Sequence, residues 1–132
     1  MNPRNTITIA ALLLTLGVAL GAMGAHALAP KITEAQLATF HTAVLYHFFH
    51  ALGMLILGVL GIHRSTRSLR IAIWLMLAGI LCFSGSLYLL SCRELLGLTS
   101  WRWLGPITPI GGVCFMAAWV LVAFDARKMP FV

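Results

Sequence analysis

From Ile7 to Leu28 the chain runs 22 residues without a charged side chain. As a helix rising ~1.5 Å per residue, such a run crosses a ~30 Å hydrocarbon core. Three further apolar runs, at about 44–62, 71–90 and 106–124, have the same character. In lipid every backbone N–H and C=O must find a partner within the segment, which leaves the helix as the natural form for such runs. Composition agrees: 61% of residues are hydrophobic and 9% charged, with mean hydropathy +0.97, whereas soluble domains carry about 25% charged residues. The expected fold is an all-α integral membrane protein, one domain over 1–132, with four transmembrane helices in a compact bundle. No soluble domain of useful size remains outside the spans.

The first run also invites a signal-peptide reading, because Ala25-His26-Ala27 resembles a small-residue cleavage site. It is longer than a typical signal core, and a retained span is expected. This helix carries two small-residue faces: Gly17, Gly21 and Gly24 on one, Thr15, Ala19, Ala22 and His26 on the other. Small residues let helix backbones approach closely in lipid, so both faces are expected to pack, unless alanine and glycine are simply frequent there. Pro30 closes the helix. Thr33 and Gln36 then have the spacing of a capping box, which starts an interfacial segment over 30–43 that continues into the second span. Gly105-Pro106-Ile107-Thr108-Pro109-Ile110-Gly111-Gly112 opens the last span. It reads either as an ordinary first turn, where proline is tolerated, or as unwound backbone lining a cavity.

Net charge of +6 does not point to nucleic acid, because the nine basic residues lie at chain ends and in short loops rather than on one face. In a membrane protein they report orientation. With the N-terminus inside, the inner side holds Arg4, Arg64, Arg67, Arg70, Arg127 and Lys128, and the outer side Lys31, Arg93 and Arg102. Six against three favours N-in and C-in termini with four spans. Trp101 and Trp103 read as an interfacial aromatic belt on the outer side.

That topology brings polar groups from all four helices to one outer-leaflet layer: His26, Tyr46, His47, His50, Ser84, Ser86, Tyr88 and Thr108. Tyr46, His47 and His50 lie on neighbouring stripes of one helix. Polar residues in lipid need partners, so the layer is either hydrogen-bonding glue between helices or the wall of a ligand cavity. His26, His47 and His50 are also weak candidates for a metal or haem iron, since imidazole suits both. No carboxylate is nearby to orient them, and no metal or other cofactor is expected. The three acidic residues, Glu34, Glu94 and Asp125, all read as lying outside the spans, with Asp125 in a polar stop after the last one. This disfavours a carboxylate-driven pump and paired-carboxylate hydrolysis. Cys82 and Cys114 read as small hydrophobes, and Cys92 has no C-x-x-C partner.

Four stretches together carry a resemblance: Gly21-Ala-Met-Gly-Ala-His26-Ala-Leu28, Tyr46-His47-Phe-Phe-His50-Ala-Leu52, Phe83-Ser-Gly-Ser-Leu-Tyr88 and Gly105 to Gly112. On them the chain resembles the YgdD-like family of small membrane proteins, a domain of unknown function with relatives in bacteria and eukaryotic organelles. The resemblance implies the four-helix inner-membrane topology and supplies no activity.

Three functions remain open on these grounds. The first is non-enzymatic binding of a lipid or small amphipathic molecule in an outer-leaflet polar pocket. The second is a structural or assembly subunit of a larger membrane complex, or a homo-oligomer. The third is a redox protein with histidine-ligated metal or haem. Membrane lipids are the expected partners, and nucleic acid is not.

Overall fold

The computed structural model describes residues 1–128, apart from the side chain of Arg102. Arg102, counted above on the outer side, and residues 129–132 of the expected domain therefore lie outside the described set. Helix α1 spans Pro3–Met23 and continues through a π-helical turn, Gly24–Leu28. Helix α2 spans Glu34–His63. Helix α3 (Arg67–Gly79) runs through a second π turn (Ile80–Ser84) into α4 (Gly85–Ser91), giving one 25-residue rod. Helix α5 spans Ile107–Ala126. The described residues contain no strand. Four of these rods, Pro3–Leu28, Glu34–His63, Arg67–Ser91 and Ile107–Ala126, are long and apolar enough to cross a membrane.

The helix starts follow from local chemistry. Asn2 caps α1 by accepting from the Asn5 N–H (2.8 Å), with Pro3 at the first helical position, where its missing donor costs nothing. Before α2 the capping box is complete: Thr33 Oγ1 accepts from Gln36 N, and Gln36 Oε1 accepts from Thr33 N. The helix then runs unbroken for 30 residues, so the stretch after Thr33 is the first part of one long helix and not a separate interfacial segment. Thr66 caps α3 through the Leu69 N–H (3.2 Å). At the last span Pro106 precedes the helix and Pro109 falls in its first turn, so Gly105 to Gly112 leads into regular helix and not into unwound backbone.

Helix α2 and the α3–α4 rod form the middle of the bundle, with α1 laid on α2 and α5 on α3 and its π turn. Burial shows the same order: 44% of the apolar window of α2 is buried, against 17% for α1 and for α5. Between apolar helices in lipid there is no hydrophobic force to bring them together, so close packing has to do it. On α1 the glycine face receives the Phe40, Val44 and Phe48 ridge of α2, with Gly24 against Phe40, Gly21 against Val44 and Gly17 against Phe48. Between α3 and α5 the fit is reciprocal. Phe115 of α5 sits where a Cβ on Gly79 would be, and the Phe83 backbone lies against Gly111.

The second small-residue face of α1 is not packed. Thr15, Ala19, Ala22 and His26 are all exposed, because α1 is an edge helix with α2 on one side only. Contacts of Pro3 with Gly61, and of Arg64 with Asp125, bring the N-terminus, the α2–α3 turn and the end of α5 together. Both ends of the described chain thus share one end of the bundle, here called the terminal end. The α1–α2 turn and the α4–α5 connection form the far end.

Candidate functional site

The polar layer divides into separate pairs between helices. His47, 2% exposed, points its Nδ1 at the Tyr88 hydroxyl of α4 (3.2 Å). The imidazole thereby ties α2 to α4. Its Nε2 is buried and has no hydrogen-bond partner among the described residues.

His50 faces elsewhere. Its Nδ1 donates to the Tyr46 carbonyl one turn earlier (2.7 Å), and its ring stacks on Phe115 of α5 with centroids 3.4 Å apart. Tyr46 packs against Phe83 (centroids 4.5 Å) and keeps 39% of its surface exposed. A third fastening joins α4 to α5. Ser86 donates to the Phe83 carbonyl (3.0 Å), so at the 2.6 Å contact with Thr108 it is Thr108 that donates. Ser84, in the π turn, is fully buried and its hydroxyl has no partner among the described residues. His26, in the π turn after α1, is exposed and stands apart from the layer.

The structure therefore brings His47 and Tyr88 together, Ser86 and Thr108 together, and Tyr46 and His50 together around Phe83 and Phe115. Because His47 turns to α4 while His50 turns to α5, the two imidazoles do not converge on a common centre. Among the described residues no three His, Cys, Asp or Glu side chains cluster as metal ligands would.

Beside the layer, a groove of about 900 Å³ opens along one flank of the α1–α2 pair. Leu14 contributes from α1, and α2 contributes a stripe from Ala38 to Leu52. That stripe is ~21 Å long at ~1.5 Å per residue, more than the ~15 Å of hydrocarbon in one leaflet. Leu45, Phe48 and Phe49 make its body apolar, while His41 and Thr42 give it a polar end near the α1–α2 turn. Sequence reasoning about the histidine layer did not reach this groove. Its floor follows positions 38, 42, 45, 49 and 52, spaced three and four apart on one stripe of α2, and their exposure is known only from the packing.

A second feature lies at the terminal end. Asp125 belongs to the last turn of α5 and is 1% exposed, so it is not part of a solvated polar stop. Its Oδ1 accepts from the Thr66 hydroxyl (2.7 Å), and Arg64 Nη2 lies 3.7 Å from Oδ2. An acid at a helix C-terminus opposes the macrodipole, and here a guanidinium and a hydroxyl from the α2–α3 turn offset it. The sequence hint was that unfavourable placement.

Four apolar spans fastened by neutral polar pairs define a small multi-pass membrane protein. Comparison with known proteins agrees with this class. Residues 20–112 match the family described as "Protein of unknown function (DUF423)", and the chain belongs to that family of UPF0382 membrane proteins. It is 44% identical over 123 residues to the UPF0382 membrane protein YwdK of Bacillus subtilis (strain 168), covering 92% of this chain and 95% of that protein. A UPF0382 membrane protein of Staphylococcus haemolyticus is 39% identical over 124 residues, covering 92% of this chain and 94% of its own. Another, from Staphylococcus epidermidis, is 38% identical with the same coverages. No solved structure matches the chain.

Proposed function

We propose that the protein binds a membrane lipid or similar amphipathic molecule, without chemistry, in the groove on the α1–α2 flank, with the polar layer bracing α2 from behind. The observation that carries this reading is the groove's construction: an apolar trough longer than one leaflet, with His41 and Thr42 at one end. A ligand with a polar head and an acyl chain matches that distribution, and its volume lies in the range of small-molecule sites. The layer's hydrogen bonds join α2 to α4 and α4 to α5, so its residues act on the ligand by holding α2, which carries most of the groove, in place. The terminal end faces the cytoplasm in this reading, giving N-in, C-in topology in the inner (plasma) membrane, on the six-to-three distribution of basic residues. On the four shared motifs we also group the chain with the YgdD-like proteins.

The test is native mass spectrometry of the full chain in mild detergent, wild type beside Thr42→Trp, which fills the groove without touching the layer. A stoichiometric lipid mass on the wild type, lost from the variant, is expected. A wild type with no added mass, or equal occupancy in both proteins, would refute the reading. The unpacked α1 face of Thr15, Ala19, Ala22 and His26 favours a second reading, docking on a larger membrane partner. Crosslinking from Ala19→Cys in native membranes should then give a defined hetero-complex, and a monomer alone would end it.

A further inference from the structure

The two ends of the bundle carry charge differently. At the far end Lys31 and Arg93 stand among the exposed acids Glu34 and Glu94. At the terminal end Arg4, Arg67, Arg70, Arg127 and Lys128 are all exposed, and the one acidic side chain, Asp125, is buried and already held by Arg64 and Thr66. The terminal end therefore presents uncompensated positive charge where helices meet the membrane surface.

A groove of about 620 Å³ lies at that end, between the start of α1 and the end of α2. Pro3, Ile7 and Ile62 form its apolar floor, and Asn2, Arg4 and Thr8 form its rim. Two of the rim groups are already engaged: Asn2 Oδ1 accepts from Asn5 N, and the Thr8 hydroxyl donates to the Arg4 carbonyl. The Arg4 guanidinium is exposed, and among the described residues the one ion pair is Arg64 with Asp125. Ile7 lies seven residues from Leu14, and Ile62 fourteen from Phe48, so this groove continues the flank that carries the larger one, in the opposite leaflet.

We propose that the terminal end binds an anionic phospholipid of the adjoining leaflet, with its acyl chain on Pro3, Ile7 and Ile62 and its phosphate on Arg4. Guanidinium matches phosphate oxygens in geometry as well as charge. The surrounding basic side chains add the attraction that clusters beside membrane helices exert on anionic lipid. A zwitterionic headgroup leaves this charge unanswered, because its own cation faces the same arginines. This site is independent of the far-end groove.

The experiment titrates the full-length protein in mild detergent with phosphatidylglycerol or phosphatidylcholine of identical chains, read by native mass spectrometry. Wild type should bind phosphatidylglycerol more tightly. Arg4→Gln should lose about fivefold of that affinity and little for phosphatidylcholine, while Arg93→Gln at the far end should lose nothing. Arg67→Gln/Arg70→Gln, which leaves the groove itself intact, should lose a similar or larger factor for phosphatidylglycerol alone. Equal affinity of wild type for the two lipids would overturn the proposal, as would equal phosphatidylglycerol affinity in Arg4→Gln and Arg93→Gln. Thr42→Trp separates the two sites, since it empties the far-end groove and leaves the preference for phosphatidylglycerol in place.

Discussion

Gly111 and Gly112 are adjacent on α5, yet replacing each by alanine should have opposite consequences. A Cβ on Gly111 would fall 2.7 Å from Phe83 Cβ and 2.8 Å from Phe83 Cα, closer still to the Phe83 amide nitrogen. Ordinary carbon contacts need about 3.5–4.0 Å, and the obstructing atoms are backbone, so no rotamer change relieves the overlap. Helix α5 must retreat from the π turn by roughly 1 Å, the difference between those separations. The Ser86–Thr108 bond at 2.6 Å and the His50–Phe115 stack at 3.4 Å both span interfaces that this retreat opens. Overpacking costs about 1–3 kcal/mol, and a weakened interhelical hydrogen bond about 0.5–1.5 kcal/mol more, a total of about 1.5–4.5 kcal/mol. On Gly112 the new Cβ meets Phe83 Cδ2 at 3.8 Å, an ordinary contact, and alanine gains up to about 1 kcal/mol in helix propensity. Reversible unfolding of both variants in one mixed-micelle system measures the contrast. If the two agree within about 0.5 kcal/mol, the close approach of α5 to Phe83 is not what joins these helices.

His50→Ala should cost about 2–3 kcal/mol, because a buried ring stacked on Phe115 leaves a void. His63→Ala, at an exposed position, should stay within about 0.5 kcal/mol of wild type; equal melting temperatures would contradict the assignment of His50 to packing. Asp125→Ala should lower stability by about 2 kcal/mol through the lost charge-assisted bond from Thr66. The loss stays below that of a fully buried pair because Arg64 is 30% exposed and can turn toward water. Asp125→Asn keeps an acceptor for Thr66 and should lose less. Limited proteolysis at the α2–α3 turn reports the same order, and equal cleavage of the two variants would remove the clamp.

The four rods, the capping box before α2 and one of the two small-residue faces of α1 were legible from residue order alone. They rest on local quantities: uncharged length against bilayer thickness, the Thr33–Gln36 spacing, and glycines at helical intervals. A backbone in lipid has few alternatives to the helix, so local rules decide a great deal there. Which polar groups meet was not legible, because that depends on how each helix is rotated about its axis. His47 and His50 are three residues apart, and packing sends one to α4 and the other to α5. His26 shares the sequence signature of the layer but sits on an edge helix with no neighbour to receive it. Asp125 reads as a solvated stop until the α2–α3 turn folds back over it with Arg64 and Thr66. The groove on the α1–α2 flank exists only because α1 leans on Phe40, Val44 and Phe48 and leaves the next stripe of α2 uncovered. Residue order determined which segments span the membrane and where their polar atoms lie along each axis. Tertiary packing decided which faces those atoms share, since in lipid only shape and hydrogen-bond pairing discriminate one helix rotation from another.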